Sequence, residues 1–203
     1  MGITQIITIL TCIVSIVAFY NRNLMYRLIF NPYMISEKGQ WYRFFSSGFI
    51  HADWIHLIIN MIVLWSFGQV VEQYYAAVFE EKGAYYFVLL YLGGLLISIT
   101  PSYKKHKHNA GYNALGASGA VSAVLFAAIL FQPMQKVYLY GIIGLPGIFL
   151  GVAYLIYSYY MDKRGGDFVN HDAHFWGAVF GVLFTVLMKP SIAIYFIDQL
   201  TAF

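Results

Sequence analysis

Four polar side chains interrupt apolar stretches of this chain, and their types are those of acyl-transfer chemistry. Ser118 follows Gly116-Ala117 and precedes Gly119-Ala120. A helix rarely begins ahead of such a glycine cluster, so the serine falls in a first helical turn. From Ser118 to Pro133 is 16 residues, about 24 Å of helix and shorter than the roughly 30 Å hydrocarbon core of a bilayer. The serine is therefore expected below the membrane surface, beside free backbone N–H groups and the positive end of the helix dipole. That setting suits a developing oxyanion.

His174 opens another apolar run, with Gly177 and Gly181 after it in a small-xxx-small seam that lets two helix backbones approach closely. An imidazole beside such a seam can reach a neighbouring helix and accept a serine proton. His56 and Asn60, four residues apart, share one helix face and can both donate to one point. Ser118 and His174 are the candidate nucleophile and base.

Each feature also has a plainer reading. A Gly-Ala-Ser-Gly run by itself is more often a packing seam, and His56 with Asn60 can serve as interhelical glue. His171 and His174 at i, i+3 have the spacing of metal ligands, but no third ligand or His-Glu-x-x-His pattern accompanies them. His106 and His108 read as solvated loop residues. Pro146 with Gly141, Gly144, Gly147 and Gly151 reads as a tolerated kink and packing face.

The elements that must hold these groups follow from composition. Of 203 residues, 60% are apolar and 10% charged, against about 45–50% and about 25% in a soluble domain. The natural solvent is lipid. A net charge of +3, with basic residues scattered among connections, argues against a nucleic-acid partner. The single cysteine, Cys12, precludes a disulfide framework or multi-cysteine metal site. No dinucleotide- or phosphate-binding loop is present, so no cofactor is expected.

Charge-free runs predict six spans, at about 3–20, 54–71, 83–103, 115–133, 137–161 and 173–188, in a single all-α membrane domain covering 1–203. The first is read as a retained span, because it lacks the basic region and cleavage site of a signal peptide. The stretch between Asn21 and Asp53 is aromatic-rich, with Trp41, Tyr42, Phe44, Phe45 and Phe49. It is expected to form a partly helical hairpin embedded at the membrane interface. Pro101 to His108 reads as an ordinary exposed connection.

Together the motifs resemble the rhomboid family of intramembrane serine proteases, over most of the chain. The resemblance rests on His51-x4-His56-x3-Asn60, Gly116-x-Ser118-Gly119 and Ala173-His174-x2-Gly177-x3-Gly181, in order at the starts of the second, fourth and sixth spans. It implies Ser118 as nucleophile and His174 as general base without a third acid. It implies oxyanion stabilisation by His56, Asn60 and the Ser118 backbone N–H, with His51 and Gly116 in support. Transmembrane protein substrates and membrane lipid are the implied partners. The fifth helix and the loop after it resemble the family's mobile elements for substrate access. A catalytically silent relative that binds membrane helices is the first alternative, and a transporter using His51, His56, His171 and His174 the second.

Two departures stand out. Many family members carry a tyrosine four residues after the nucleophile, its ring stacked on the catalytic histidine; here that residue is Ser122. Either another ring, such as Tyr112, Phe175 or Trp176, is expected to hold His174, or the histidine is held more loosely, with a lower rate. Trp41 and Arg43 are separated by Tyr42, where some members have adjacent Trp-Arg. Orientation is contested too. Arg22, Arg27, Lys38, Arg43, Lys104, Lys105, Lys107, Lys163 and Arg164 face only Lys82, Lys136 and Lys189 across the membrane, so the positive-inside rule puts the Ser118 mouth in the cytoplasm. The resemblance implies an extracytoplasmic site in a bacterial-type inner membrane, and that orientation is preferred because an embedded hairpin is not a free loop.

Overall fold

The computed structural model of the chain describes residues 1–139, 142–164 and 170–202. Helix α1 (Ile3–Tyr20) buries Thr4, Thr8, Thr11, Ser15 and Ala18 and turns Ile6, Ile9, Leu10, Ile13 and Val17 outward. That reversal of the soluble pattern is what lipid demands: small side chains permit close helix contact, while bulky apolar ones face hydrocarbon.

The long first connection folds as expected into a partly helical hairpin, with α2 (Arg22–Leu28), α3 (Pro32–Lys38), α4 (Arg43–Ser46) and a single 3-10 turn at Ser47–Phe49. Asn21 and Asn31 cap α2 and α3 through their side chains. Arg43, which carried no predicted contact, is the hairpin's buried pin. Its guanidinium donates to the Tyr26 and Ile29 carbonyls at 2.9 and 2.5 Å and to Gln40 Oε1 at 2.6 Å.

α5 (Trp54–Phe79) and α6 (Gly83–His106) are joined by a 3-10 turn at Glu80–Lys82, with Glu80 in the left-handed region at φ 53°. Both outrun their predicted spans. α5 continues past residue 71 because the Glu72 carboxylate accepts the Ile3 and Thr4 amides, at 2.6 and 2.9 Å, and thereby satisfies the start of α1. α6 passes through Pro101 to His106, whose ring stacks on Tyr112 at 3.8 Å; the exposed connection expected there is helix, and His106 is not simply solvated.

α7 (Ser118–Phe131) is buried on nearly all sides, between α5, α6 and α9 (His171–Met188). α8 (Gly147–Arg164) lies against α9 and α7, and α10 (Ser191–Thr201) closes the chain. The predicted continuous helix over 137–161 is not found. Lys136–Leu139 (β1) and Ile143–Pro146 (β2) pair antiparallel, and α8 starts only at Gly147. Gly144, Pro146 and Gly147 disfavour helix upstream of α8, and Val137 and Tyr138 suit a strand. The carbonyls of Gln135 and Pro133 then accept the first α8 amides, from Gly147 and Ile148, at 2.9 Å each. The fold is therefore mostly helical, and not purely so. Pro146 ends a strand and kinks no helix; Gly141 and the loop after α8, 165–169, lie outside the described residues.

Among the described residues, three helical stretches are long and apolar enough to cross a membrane: Ile3–Tyr20, the 53-residue run Trp54–His106 that folds back at Glu80, and His171–Met188. α7 is apolar and shorter.

Candidate active site

Ser118 is the first residue of α7, as its glycine surroundings predict, and the N-cap Ala117 provides no side-chain hydrogen bond. The first-turn amides are thus not taken up by a capping side chain. Two contacts fix the approach to this turn. Phe30 and Ala114 exchange backbone hydrogen bonds of 2.9 and 3.0 Å, stapling the first-connection hairpin to the segment ahead of Ser118. Gly116, whose amide donates to the Ser47 carbonyl at 2.9 Å, has φ +113°. A Cβ there would stand 2.6 Å from His56 Cε1 and 2.8 Å from Nε2, so both backbone sign and space require glycine.

His51 holds the same turn from behind. The single hydroxyl proton of Ser15 goes to the Phe49 carbonyl at 2.9 Å, so Ser15 Oγ accepts from His51 Nδ1, also at 2.9 Å. Nε2 of His51 is then left to accept the Ala117 amide at 3.4 Å. Burial, and secondarily the neighbouring His56, pull the His51 pKa from 6.5 to about 3, with Asp53 opposing. It stays neutral, as this arrangement needs.

α9 presents His174 one turn in, behind an Asn170 cap whose side chain accepts the Ala173 amide. Gly177 and Gly181 rest against the α7 backbone at Gly119 and Ala123. This close crossing brings His174 Nε2 to 2.8 Å from Ser118 Oγ. His56 and Asn60 face the cavity from α5, with Asp53 capping that helix through the His56 amide. One Asn60 amide proton is spent on the His56 carbonyl at 2.9 Å, leaving the other for the cavity. The cavity has a volume of about 670 Å³ and is lined by His56, Asn60, Ser118 and His174 among mostly apolar neighbours. His51 is fully buried behind it instead of lining it.

The ring beside His174 is none of those expected. Tyr112 stacks on His106, and Phe175 packs edge-on against Trp176. Tyr154 of α8 stacks on the imidazole instead, with centroids 5.8 Å apart and planes at 19°, and its hydroxyl lies 2.8 Å from Ser122 Oγ. No spacing rule links residue 154 to 174, so only the packing of α8 could disclose it. Among the described residues no three His, Cys, Asp or Glu side chains gather as a metal set.

A mostly helical domain with long apolar helices defines an integral membrane protein, and a serine at a helix start with an imidazole within hydrogen-bond reach and amide donors nearby is an arrangement that could serve acyl transfer. The chain belongs to the rhomboid family: the rhomboid domain matches residues 38–191. The family is polytopic and includes serine proteases. The chain is 34% identical over 143 residues to presenilin-associated rhomboid-like protein A, mitochondrial, of Danio rerio. It is 28% identical over 171 residues to RHOMBOID-like protein 12, mitochondrial, and 29% identical over 169 residues to Rhomboid-like protein 11, chloroplastic, both of Arabidopsis thaliana. These matches cover 67%, 75% and 77% of this chain and 34%, 49% and 56% of the relatives. The chain thus spans between a third and rather more than half of their lengths.

Proposed function

We propose that this chain is an intramembrane serine endopeptidase that cleaves transmembrane segments of membrane proteins through a Ser118–His174 dyad. The observation that carries this reading is the 2.8 Å approach of Ser118 Oγ to His174 Nε2 at the first turn of a buried helix. Nε2 accepts the serine proton as Oγ attacks a peptide carbonyl, and the imidazolium returns it to the leaving amine. Water then clears the acyl-enzyme, with His174 again as base. His56, the free Asn60 amide proton and the Ser118 backbone N–H stabilise the oxyanion, each such donor being worth about 10²–10³ in rate.

Six helices build the membrane-embedded bundle in this reading: α1, α5, α6, α7, α8 and α9. α7, at 14 residues and about 21 Å, is too short to reach both surfaces, so the serine lies at depth. A substrate helix must unwind to expose a scissile carbonyl, so the substrates are proteins whose spans contain Gly, Pro or other helix-weakening residues. The site opens to the extracytoplasmic side of a bacterial-type inner membrane. The burial of Arg43 within the hairpin supports that orientation, because a cation pinned to backbone carbonyls is not a free loop charge.

Fluorophosphonate labelling in detergent tests the dyad without a known substrate. Wild type is expected to label, and Ser118→Ala and His174→Ala are not. Equal labelling of all three, or none while a control serine protease labels, overturns the reading.

A further inference from the structure

The chemistry above makes no use of Ser122 and Tyr154, although both line the catalytic cavity. Ser122 sits one turn after Ser118 on α7, buried at the position where the resemblance implies a tyrosine stacked on the base. A serine cannot reach the imidazole face with an aromatic ring. The face is covered nonetheless, from another helix. The Tyr154 ring lies nearly parallel to His174, at 5.8 Å and 19°, and its far end is tied to Ser122 by the 2.8 Å contact between the two hydroxyls.

The local packing explains how a ring from α8 gets there. Gly151, three residues before Tyr154, brings α8 onto α7: a Cβ at 151 would lie 2.9 Å from Ile129 Cδ1 and 3.4 Å from Phe126 Cε1. Phe126, on α7 one turn beyond Ser122, meets the Tyr154 ring at 6.2 Å. The tyrosine is thus fixed by its own helix at one end, by Phe126 alongside and by a hydroxyl partner at the tip. A tyrosine at 122 would compete for the space that the Tyr154 ring already fills.

We propose that Tyr154 is the positioning residue of His174 and Ser122 its anchor, the pair doing from α8 what a tyrosine at 122 would do from α7. This rests on the reading of Ser118 and His174 as a dyad. A flat ring against one imidazole face limits rotation about the His174 side chain and keeps Nε2 aimed at Ser118. Orientation of the base has large leverage on rate, because small misplacements of a reacting group are costly. The arrangement also makes the aim of His174 depend on how α8 is seated, whereas a ring on α7 would move with Ser118 itself.

The test uses the full chain in detergent with two readouts: the pH profile of the fluorophosphonate labelling rate, and the ring-current shift of the His174 imidazole protons in ¹³C-histidine protein, assigned by loss in His174→Ala. Tyr154→Leu is expected to slow labelling about tenfold or more, move the pH profile and abolish the upfield shift. Tyr154→Phe keeps the ring but loses the hydroxyl tie to Ser122, and is expected to keep part of the shift and to label at a rate between those of wild type and Tyr154→Leu. Ser122→Tyr alone crowds Tyr154 and slows labelling. The double variant Ser122→Tyr, Tyr154→Leu is expected to recover rate over either single change, a non-additivity that a merely structural role would not produce. Tyr154→Leu labelling within about twofold of wild type with an unmoved pH profile, or a double variant no better than Tyr154→Leu, overturns the proposal. Wild type that labels without a shifted His174 resonance overturns it too, and leaves the dyad standing. Wild type that shows the shift but never labels overturns the protease reading, and with it the catalytic use of the ring.

Discussion

Gly177 of α9 rests directly on the backbone of Gly119 of α7, so closely that a Cβ at 177 would also lie 3.0 Å from the Gly119 Cα. The distance between Ser118 and His174, the proposed nucleophile and base, is set by this contact, since Ser118 immediately precedes Gly119 and His174 stands one turn before Gly177. Gly177→Val is expected to force the two helices apart, at about 1–3 kcal/mol of overpacking. Fluorophosphonate labelling should fall by about tenfold or more, while Gly39→Ala, which strains a left-handed backbone (φ +64°) in the first-connection hairpin but meets nothing near its Cβ, leaves it close to wild type. Labelling rates of the two variants decide whether the seam or general destabilisation governs activity.

His56→Ala and Asn60→Ala are each expected to lower turnover by about 10²–10³, with a smaller effect on substrate affinity. Oxyanion donors act on charge that develops only in the transition state. Separate kcat and KM values on a cleavable transmembrane reporter check this; a rise in KM with kcat unchanged would assign these side chains to binding alone.

Gly116→Ala combines a residue at φ +113° with overlap against the His56 ring. Strain in that region amounts to about 1–3 kcal/mol, and relief requires either the turn ahead of Ser118 or the imidazole to shift. The expected result is a folded protein with labelling reduced by about tenfold or more. Circular dichroism together with labelling separates this from unfolding.

Protonation of His51 should couple stability to pH. Its native pKa, about 3, lies below the unfolded value of 6.5, so its neutral form contributes stability that is complete above the unfolded value. As pH falls from 6.5 toward 3, the unfolded chain gains a proton that the native one refuses, and stability is lost across that window. Thermal midpoints in detergent should decline there for wild type and decline less for His51→Gln. Parallel declines in both proteins would remove His51 from the account.

Much of the site was legible in the chain. A lipid solvent follows from 60% apolar and 10% charged residues, because burial of so much apolar surface has no aqueous solution. The start of α7 at Ser118 follows from Gly116 and Gly119, and the shared face of His56 and Asn60 from helical periodicity. These are local consequences of backbone freedom and spacing. Span ends were less legible, because Glu72 and Lys104 end the charge-free runs. In fact α1 takes up the first, and α6 carries its basic residues in its last turn.

Tertiary structure alone decided the rest. Val137 to Pro146 is apolar enough for helix or strand, and the outcome depends on the Pro133 and Gln135 carbonyls that receive α8. Arg43 became a buried pin only when the Tyr26 and Ile29 carbonyls converged on it. The ring over His174 came from Tyr154 on α8, and not from Tyr112, Phe175 or Trp176, because aromatic contacts between helices depend on crossing and rotation. Sequence specifies which side chains each helix carries and on which face; which partner a face meets is fixed by the packing of all helices together, a property no single segment encodes.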